Sequence, residues 1–104
     1  MVEVSRHALK RLQERSGLSK KSAQRIAEKA FTQGITHGET KGNLNKYVTS
    51  LYFNNTKANN IRLYGDKAFI FAGETLVTVL QIPSNLTKDM KKLVKNKEEN
   101  ASTK

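Results

Sequence analysis

The sequence predicts an α+β fold in which an N-terminal helical hairpin packs on a four-stranded antiparallel sheet, followed by a short C-terminal helix. Two observations favour this class. Apolar residues recur at helical spacing up to residue 33, whereas short β-rich runs separated by turns fill residues 47–82. The chain of 104 residues is long enough for one modest core. We therefore expect a single domain over residues 1–95 and a disordered tail over residues 96–104.

Both predicted helices are bounded by residues that favour helix ends. Ser5 can cap a first helix that runs to about Ser16, and Gly17 is typical of a left-handed helix end. Ser19 begins a second helix that ends before Gly34. The apolar positions of the two helices are Val4, Ala8, Leu9, Leu12, Ala23, Ile26, Ala27, Ala30 and Phe31. Because the connection between the helices is short, they are expected to form an αα-hairpin.

Residues 34–46 are predicted to form a long loop, and four strands are expected after it. The predicted strands are Tyr47–Phe53, Asn60–Tyr64, Lys67–Ala72 and Thr75–Ile82. Gly65 and Gly73 each begin a two-residue turn of the kind that joins antiparallel strands. A last helix is expected over Asn85–Lys95, where Leu86, Met90, Leu93 and Val94 form a short apolar stripe.

The two tight turns predict a register for the last three strands. Tyr64 should pair with Lys67, Ala72 with Thr75, and Ile70 with Val77. One face would then be aliphatic and pack on the helical hairpin, with Ile61, Leu63, Ala68, Ile70, Val77 and Val79. The other face would mix basic, aromatic and hydroxyl side chains: Arg62, Tyr64, Lys67, Phe69, Phe71, Leu76, Thr78 and Leu80.

The formal net charge of +10 is concentrated outside the β-rich segment. Residues 1–46 hold ten Lys or Arg and four Asp or Glu, whereas residues 47–83 hold three and two. A clustered positive charge attracts polyanions, and nucleic acid is the commonest of these. The charge therefore predicts an anionic partner, of which nucleic acid is the first candidate, although such a charge can also serve solubility alone.

Composition and motifs exclude several other classes. The absence of cysteine excludes disulfides, thiolate nucleophiles, zinc fingers and iron–sulfur sites. No phosphate-binding glycine loop or serine-hydrolase elbow is present, and the histidines and carboxylates are scattered, so no cofactor and no metal is expected. Without a long apolar run or an apolar leader, no membrane association is expected, and the predicted location is the cytoplasm.

Four residues are candidates for RNA cleavage without a metal ion. His7 and Arg11 lie one helical turn apart, and an imidazole beside guanidinium groups can move a proton next to a bound phosphate. Arg62 and Tyr64 alternate on the mixed sheet face and could complete the site. The alternative is that His7 is a half-exposed helix residue and that the arginines are only solvated.

Six further residues are candidates for nucleic-acid binding. On the first helix these are Lys10 and Arg15. On the mixed sheet face, basic residues interleaved with aromatic ones can hold phosphates and stack bases. The candidates there are Lys67, Phe69 and Thr78. His37, in the glycine-containing loop, could form an acid–base pair with His7. The alternatives are a mixed face covered by the last helix and a loop histidine that is simply hydrated.

The opening SRHALKRLQERSGLS resembles small domains of the RelE-like and barnase–EndoU–colicin-like nuclease superfamily, including phage members. These begin with H-A-x-x-R-x-x-x-R, which His7, Ala8, Arg11 and Arg15 match, and residues 62–83 look like the family's terminal strands. The resemblance implies a toxin-like ribonuclease, independent of metal, that acts on tRNA or on ribosome-bound RNA. It implies an acid–base role for His7, phosphate binding by Arg11 and Arg62, and a lining role for Tyr64 and Thr78.

Two other functions compete with the ribonuclease hypothesis. One is a basic protein that binds RNA or the ribosome without cleaving it. The other is a phage-type inhibitor that docks on an acidic host protein by charge. The nuclease hypothesis requires that His7 and Arg62 converge on one pocket able to hold a phosphodiester.

Overall fold

A four-stranded mixed sheet separates two layers of helices in the computed structural model, which describes residues 2–102 and the side chains of residues 2–95. The elements in chain order are β1 (Glu3–Val4), α1 (Arg6–Ser16), α2 (Lys20–Gln33), α3 (Gly42–Asn54), β2 (Asn60–Tyr64), β3 (Lys67–Ala72), β4 (Thr75–Gln81) and α4 (Thr87–Ser102). Short 3₁₀ turns, His37–Glu39 and Ser84–Leu86, precede α3 and α4. The α+β class is confirmed, and the strand order is β1-β4-β3-β2.

The predicted helical hairpin is confirmed, and both of its helix starts are capped by serine. The Ser5 hydroxyl accepts from the Ala8 N–H, and the Ser19 hydroxyl accepts from the Ser22 N–H. Gly17 ends α1 with a φ of 64°, in the left-handed region expected of a glycine there.

The predicted strand Tyr47–Phe53 is wrong, because this segment is the second half of α3. Its β-branched and aromatic residues favour a strand by propensity, but Leu44, Val48 and Leu51 recur at helical spacing and are buried together. Packing of this stripe on the sheet outweighs the local propensity. The predicted long loop is consequently shorter, since α3 already begins at Gly42.

The sheet is mixed, not antiparallel as predicted, because its fourth strand comes from the N-terminus. Glu3 and Val4 of β1 run parallel to β4 and pair with Thr75 and Leu76. A strand of two residues has too little sequence for a periodic pattern, so the prediction missed it. The predicted turns are confirmed: Gly65 and Gly73 each have a φ of 62° and connect antiparallel strands.

A β-bulge changes the predicted register of β4. The register of β2 against β3 is as predicted, and Ala72 pairs with Thr75. Beyond the bulge, however, Ile70 pairs with Thr78 in place of Val77. Val77 has no partner in the ladder, and every later residue of β4 faces the side opposite to the one predicted.

The faces of the sheet pack against different helices from those predicted. The hairpin covers the aromatic face, where it buries Phe69, Phe71, Leu76 and Val79. The aliphatic face, expected under the hairpin, is covered by α3 and by the start of α4 instead. The core there contains Ile35, Leu44, Val48, Leu51, Ile61, Leu63, Ala68, Ile70, Ile82, Leu86 and Met90.

The C-terminal helix is longer than the short helix predicted, since α4 continues to Ser102. It therefore includes most of the tail expected over residues 96–104. The side chains of residues 96–102 and the whole of residues 103–104 lie outside the described part. The domain boundary at residue 95 stays a prediction. No helix within residues 2–102 has the length and apolar character needed to cross a membrane.

Candidate nucleic-acid interface

The outer side of the helical hairpin carries five exposed cations. In α2, the buried residues Ala23, Ala27 and Ala30 face the sheet, and the opposite side carries Lys21, Arg25 and Lys29 at four-residue intervals. Successive members of this stripe are about 6 Å apart along the helix axis. In α1, Arg6 and Lys10 lie opposite the buried residues Ala8 and Leu12 in the same way. We call Arg6, Lys10, Lys21, Arg25 and Lys29 the hairpin face.

These cations are little neutralised by the protein itself. Among the described side chains, one ion pair touches the hairpin face, between Lys10 and Glu14 at 3.8 Å, and both groups are exposed. A pair of this kind is weak because water screens it. The hairpin face is therefore free to exchange its counterions for the phosphates of a polyanion.

The predicted residues of α1 lie on or beside this surface. Lys10 belongs to the hairpin face, His7 and Arg15 are exposed, and Arg11 is half-buried. His7 has no hydrogen-bond or ion-pair partner among the described residues. Without a neighbour that fixes its ring, His7 lacks the orienting contact that is typical of an acid–base histidine.

Arg62 lies on β2, the edge strand farthest from β1, and its side chain bonds to the end of α2. Its Nε donates to the Gly34 carbonyl at 3.0 Å and so satisfies a carbonyl at the end of α2. α1 contacts β4, whereas Arg62 lies on β2, with β3 between these two strands. No hydrogen bond or ion pair among the described residues joins His7 to Arg62, and the shared pocket that the nuclease hypothesis requires stays a prediction.

Tyr64 and Phe69 pack against each other at the edge of the hairpin core. Their rings meet edge to face with centroids 6.4 Å apart. Phe69 is only 1% exposed, so it offers no face to a nucleobase in this structure. Its predicted role in stacking would require the hairpin to move away, and Phe69 instead contributes to the core.

Lys67 is held by neighbouring polar groups at the β2–β3 turn. Its Nζ donates to the Asp66 carboxylate at 2.9 Å, and Gln81 Nε2 donates to the other carboxylate oxygen at 3.0 Å. The hydrogen bonds from Lys67 and Gln81 lower the pKa of the Asp66 carboxyl below its usual value. The charge of Lys67 is thus partly neutralised within the protein.

Thr78 lies on the opposite face of the sheet from Arg62, Tyr64 and Phe69. It pairs with Ile70, a member of the core under α3, whereas Phe69 pairs with Val79. The predicted grouping of Thr78 with the basic and aromatic residues is wrong. The cause is the bulge, which reverses the facing of this part of β4.

His37 lies in the other helical layer from His7, so the predicted histidine pair is not formed. Its Nε2 is 2.8 Å from Thr49 Oγ1, and its ring packs against Tyr52, both residues of α3. The sheet separates this layer from the hairpin. His37 instead lines a shallow pocket of about 430 Å³ together with Thr49, Tyr52, Phe53 and Asn59.

The prediction missed two sets of residues. The α2 stripe of Lys21, Arg25 and Lys29 is visible in the sequence as three cations at four-residue spacing, opposite the alanines that were correctly placed inside. The pocket residues Thr49 and Phe53 belong to the predicted strand Tyr47–Phe53, which is helical, and no sequence pattern indicates that they lie beside His37.

A second, larger groove of about 1060 Å³ lies between the end of α2, the β2–β3 turn and α4. Its floor includes Ile35, Leu63 and Met90, and Lys91 and Lys95 stand at its rim. The groove is mostly apolar and contains none of the clustered cations of the hairpin face.

The fold and surface define a class: a small α+β protein with helices on both faces of a mixed sheet and a basic helical hairpin. No protein-family model, curated protein or solved structure matches the chain. The resemblance to RelE-like nucleases stays a prediction. Within the described residues, no three His, Asp or Glu side chains are grouped so that they could hold a metal ion.

Proposed function

We propose that this protein binds RNA through the hairpin face and does so mainly by contacts with phosphates. The observation that carries the proposal is the set of five exposed cations on one side of α1 and α2, with a single weak ion pair among them. Lysine and arginine held on rigid helices can neutralise successive phosphates, and each one releases a condensed counterion.

RNA is the proposed nucleic acid because the opening motif resembles a superfamily that acts on RNA. Catalysis is not part of the proposal, since the described contacts do not bring His7 and Arg62 into one pocket. We expect RNA to stay intact when it is incubated with the protein and EDTA. Fragments that end in a cyclic phosphate, and that disappear with His7→Ala, would instead favour the nuclease hypothesis.

The test is the salt dependence of binding to a labelled RNA duplex, measured by fluorescence anisotropy. Five phosphate contacts predict a slope of about −4.5 for log K against log salt concentration. The double variant Arg25→Gln/Lys29→Gln should bind more weakly, and its slope should be smaller by about one for each removed contact.

A matched control separates the hairpin face from net charge alone. Lys88→Gln/Lys92→Gln removes the same charge from exposed positions of α4, the helix on the other side of the sheet. This control should leave the slope close to that of the unmodified protein. An equal loss of RNA affinity in both double variants would contradict a defined hairpin interface. If the unmodified protein does not bind RNA even at low salt, the proposal fails and docking on an acidic protein becomes the favoured function.

A further inference from the structure

We propose that the His37 pocket holds an unpaired nucleobase of RNA, stacked on Phe53. The inference rests on the proposed RNA binding and adds a site on the opposite side of the sheet from the hairpin face. The pocket is lined by His37, Thr49, Tyr52, Phe53 and Asn59. Its volume of about 430 Å³ and its shallow shape suit one flat ring, not a duplex.

The exposure of the Phe53 side chain is the main observation behind this proposal. This side chain is 79% exposed at the end of α3, and the only other large exposed apolar side chain in the described part of the chain is Val77, at 40%. The exposed Phe53 ring, with the His37 and Tyr52 rings in the same pocket, offers an apolar surface that a flat ligand can cover. Stacking by an aromatic side chain tolerates any base, because every base has a π-face.

The other rings of the pocket are held rigidly. The Tyr52 hydroxyl accepts from the Ile61 N–H at 2.8 Å, which fixes its ring against β2. The His37 ring lies 5.4 Å from the Tyr52 ring and is anchored by Thr49. Preorganised rings lose little conformational entropy when a ligand binds.

The hydrogen bonds around His37 fix its tautomer. Thr49 Oγ1 donates its only proton to the Asn45 carbonyl at 2.8 Å, so it must accept from His37 Nε2, which therefore carries a proton. His37 Nδ1 has no partner among the described residues and is an acceptor when the imidazole is neutral. Asn45 also donates to Thr40, which in turn donates to the His37 carbonyl, so the backbone of this histidine is positioned as well.

Asn59 supplies the complementary donor. Its Oδ1 accepts from the Gly73 N–H at 2.9 Å, whereas its Nδ2 has no partner among the described residues. One amide donor and one imidazole acceptor are the types of group that read the polar edge of a base. The pocket thus combines a stacking ring with both kinds of hydrogen-bonding group.

The charge around the pocket suits an anionic ligand. Three exposed lysines, Lys41, Lys46 and Lys57, lie in α3 or next to its two ends, and residues 40–59 contain no Asp or Glu. Glu39 is two residues from His37, and its carboxylate accepts from the Thr36 N–H and hydroxyl at 2.9 and 3.0 Å. The three lysines can attract the phosphates attached to a base that stacks on Phe53. This favours a base from a nucleic acid over an uncharged aromatic compound.

The direct test is Phe53→Trp, which introduces a unique fluorophore because the chain contains no tryptophan. Titration with a single-stranded oligoadenylate at about 0.1 M salt should quench its emission, since a base would stack on the indole ring. An RNA duplex of the same length should bind the hairpin face without quenching. Binding of the single strand without any quenching would overturn the proposal and leave the hairpin interface intact.

Phe53→Ala provides the affinity measurement. Single-strand affinity should fall about fivefold or more, which corresponds to about 1 kcal/mol, whereas duplex affinity should stay unchanged. Val77→Ala, the matched truncation of the other exposed apolar residue, should alter neither affinity. Because Phe53 is exposed, thermal melting should confirm that both variants fold.

The outcomes separate this inference from the proposed function. If Phe53→Ala leaves single-strand affinity unchanged while Arg25→Gln/Lys29→Gln weakens it, the pocket proposal fails and the hairpin interface stands. If neither RNA form binds the unmodified protein, both fail. If sedimentation finds a dimer that Phe53→Ala converts to a monomer, a second copy of the chain covers Phe53 and the nucleobase proposal is overturned.

Discussion

At Gly34 the end of α2 lies directly against Arg62 and Leu63 of β2. A Cβ atom at this position would lie 2.5 Å from the Ala30 carbonyl oxygen and 2.8 Å from the Cβ of Arg62. The φ of Gly34 is −65°, which any residue can adopt, so glycine is needed here for space and not for backbone freedom. The missing side chain allows Arg62 to reach the Gly34 carbonyl.

Gly34→Ala should therefore destabilise the fold by about 2 kcal/mol, the typical cost of an overpacked contact against backbone. Urea unfolding followed by circular dichroism measures this loss as a lower midpoint. Gly38→Ala is the control, since a Cβ there meets nothing within 4 Å and the φ of Gly38 is not positive. Equal midpoints for the two variants would contradict the close approach.

At the scale of elements, the caps of α1 and α2 differ in one respect. Ser19 caps α2 and otherwise bonds only to Ser22 in its own helix. Ser5 caps α1 and also donates to the Val77 carbonyl at 3.0 Å, at the unpaired residue of the β-bulge. The bulge thus provides the carbonyl that attaches the start of α1 to β4.

Ser5→Ala should consequently cost more stability than Ser19→Ala. The loss of a cap alone costs about 1 kcal/mol, and the second hydrogen bond of Ser5 should add roughly another 0.5–1.5 kcal/mol. Chemical denaturation of the two variants compares these costs in one protein. A cost for Ser19→Ala equal to or larger than that for Ser5→Ala would indicate that the Val77 contact contributes no stability.

Elements were predictable where their signals are local. The ends of α1 and α2 follow from serine caps and the apolar stripe, and the β2–β3 and β3–β4 turns follow from Gly65 and Gly73. The second half of α3 is not predicted because its residues favour a strand by propensity, whereas its apolar positions recur at helical spacing. The helix is favoured by burial of Leu44, Val48 and Leu51 against a sheet whose strands come later in the chain.

For the candidate interface, residue types were easier to predict than residue grouping. The excess of basic residues in the first part of the chain indicated a polyanion partner, and Lys10 does lie on the hairpin face. No described hydrogen bond joins the catalytic candidates His7 and Arg62, since Arg62 bonds to Gly34, and Thr78, a candidate for nucleic-acid binding, faces the other side of the sheet. Grouping depends on register and layer packing, which single residues do not encode.

At the scale of the whole molecule, the net charge of +10 opposes folding because it brings like charges together. Salt screens this repulsion, with a Debye length that falls from about 30 Å at 0.01 M to about 8 Å at 0.15 M. We expect the melting temperature to rise by a few degrees over this range, as measured by circular dichroism.

The rise should be smaller for Arg25→Gln/Lys29→Gln, which removes two charges from the hairpin face. A melting temperature that does not change with salt, or that falls, would indicate that the cations are compensated within the fold. The same measurement therefore checks independently whether the hairpin face is poor in ion pairs.

The amino-acid sequence alone determined the helical hairpin, the three-stranded meander and the basic character of the protein, because caps, tight turns and charge act over a few neighbouring residues. Only the tertiary structure decided that α3 is a helix, that β1 completes a mixed sheet and that the hairpin covers the aromatic face. It also decided which cations share a surface and that His37 and Phe53 share a pocket. Each of these features depends on contacts between segments far apart in the chain, whose energy comes from burial against a partner that no local pattern specifies.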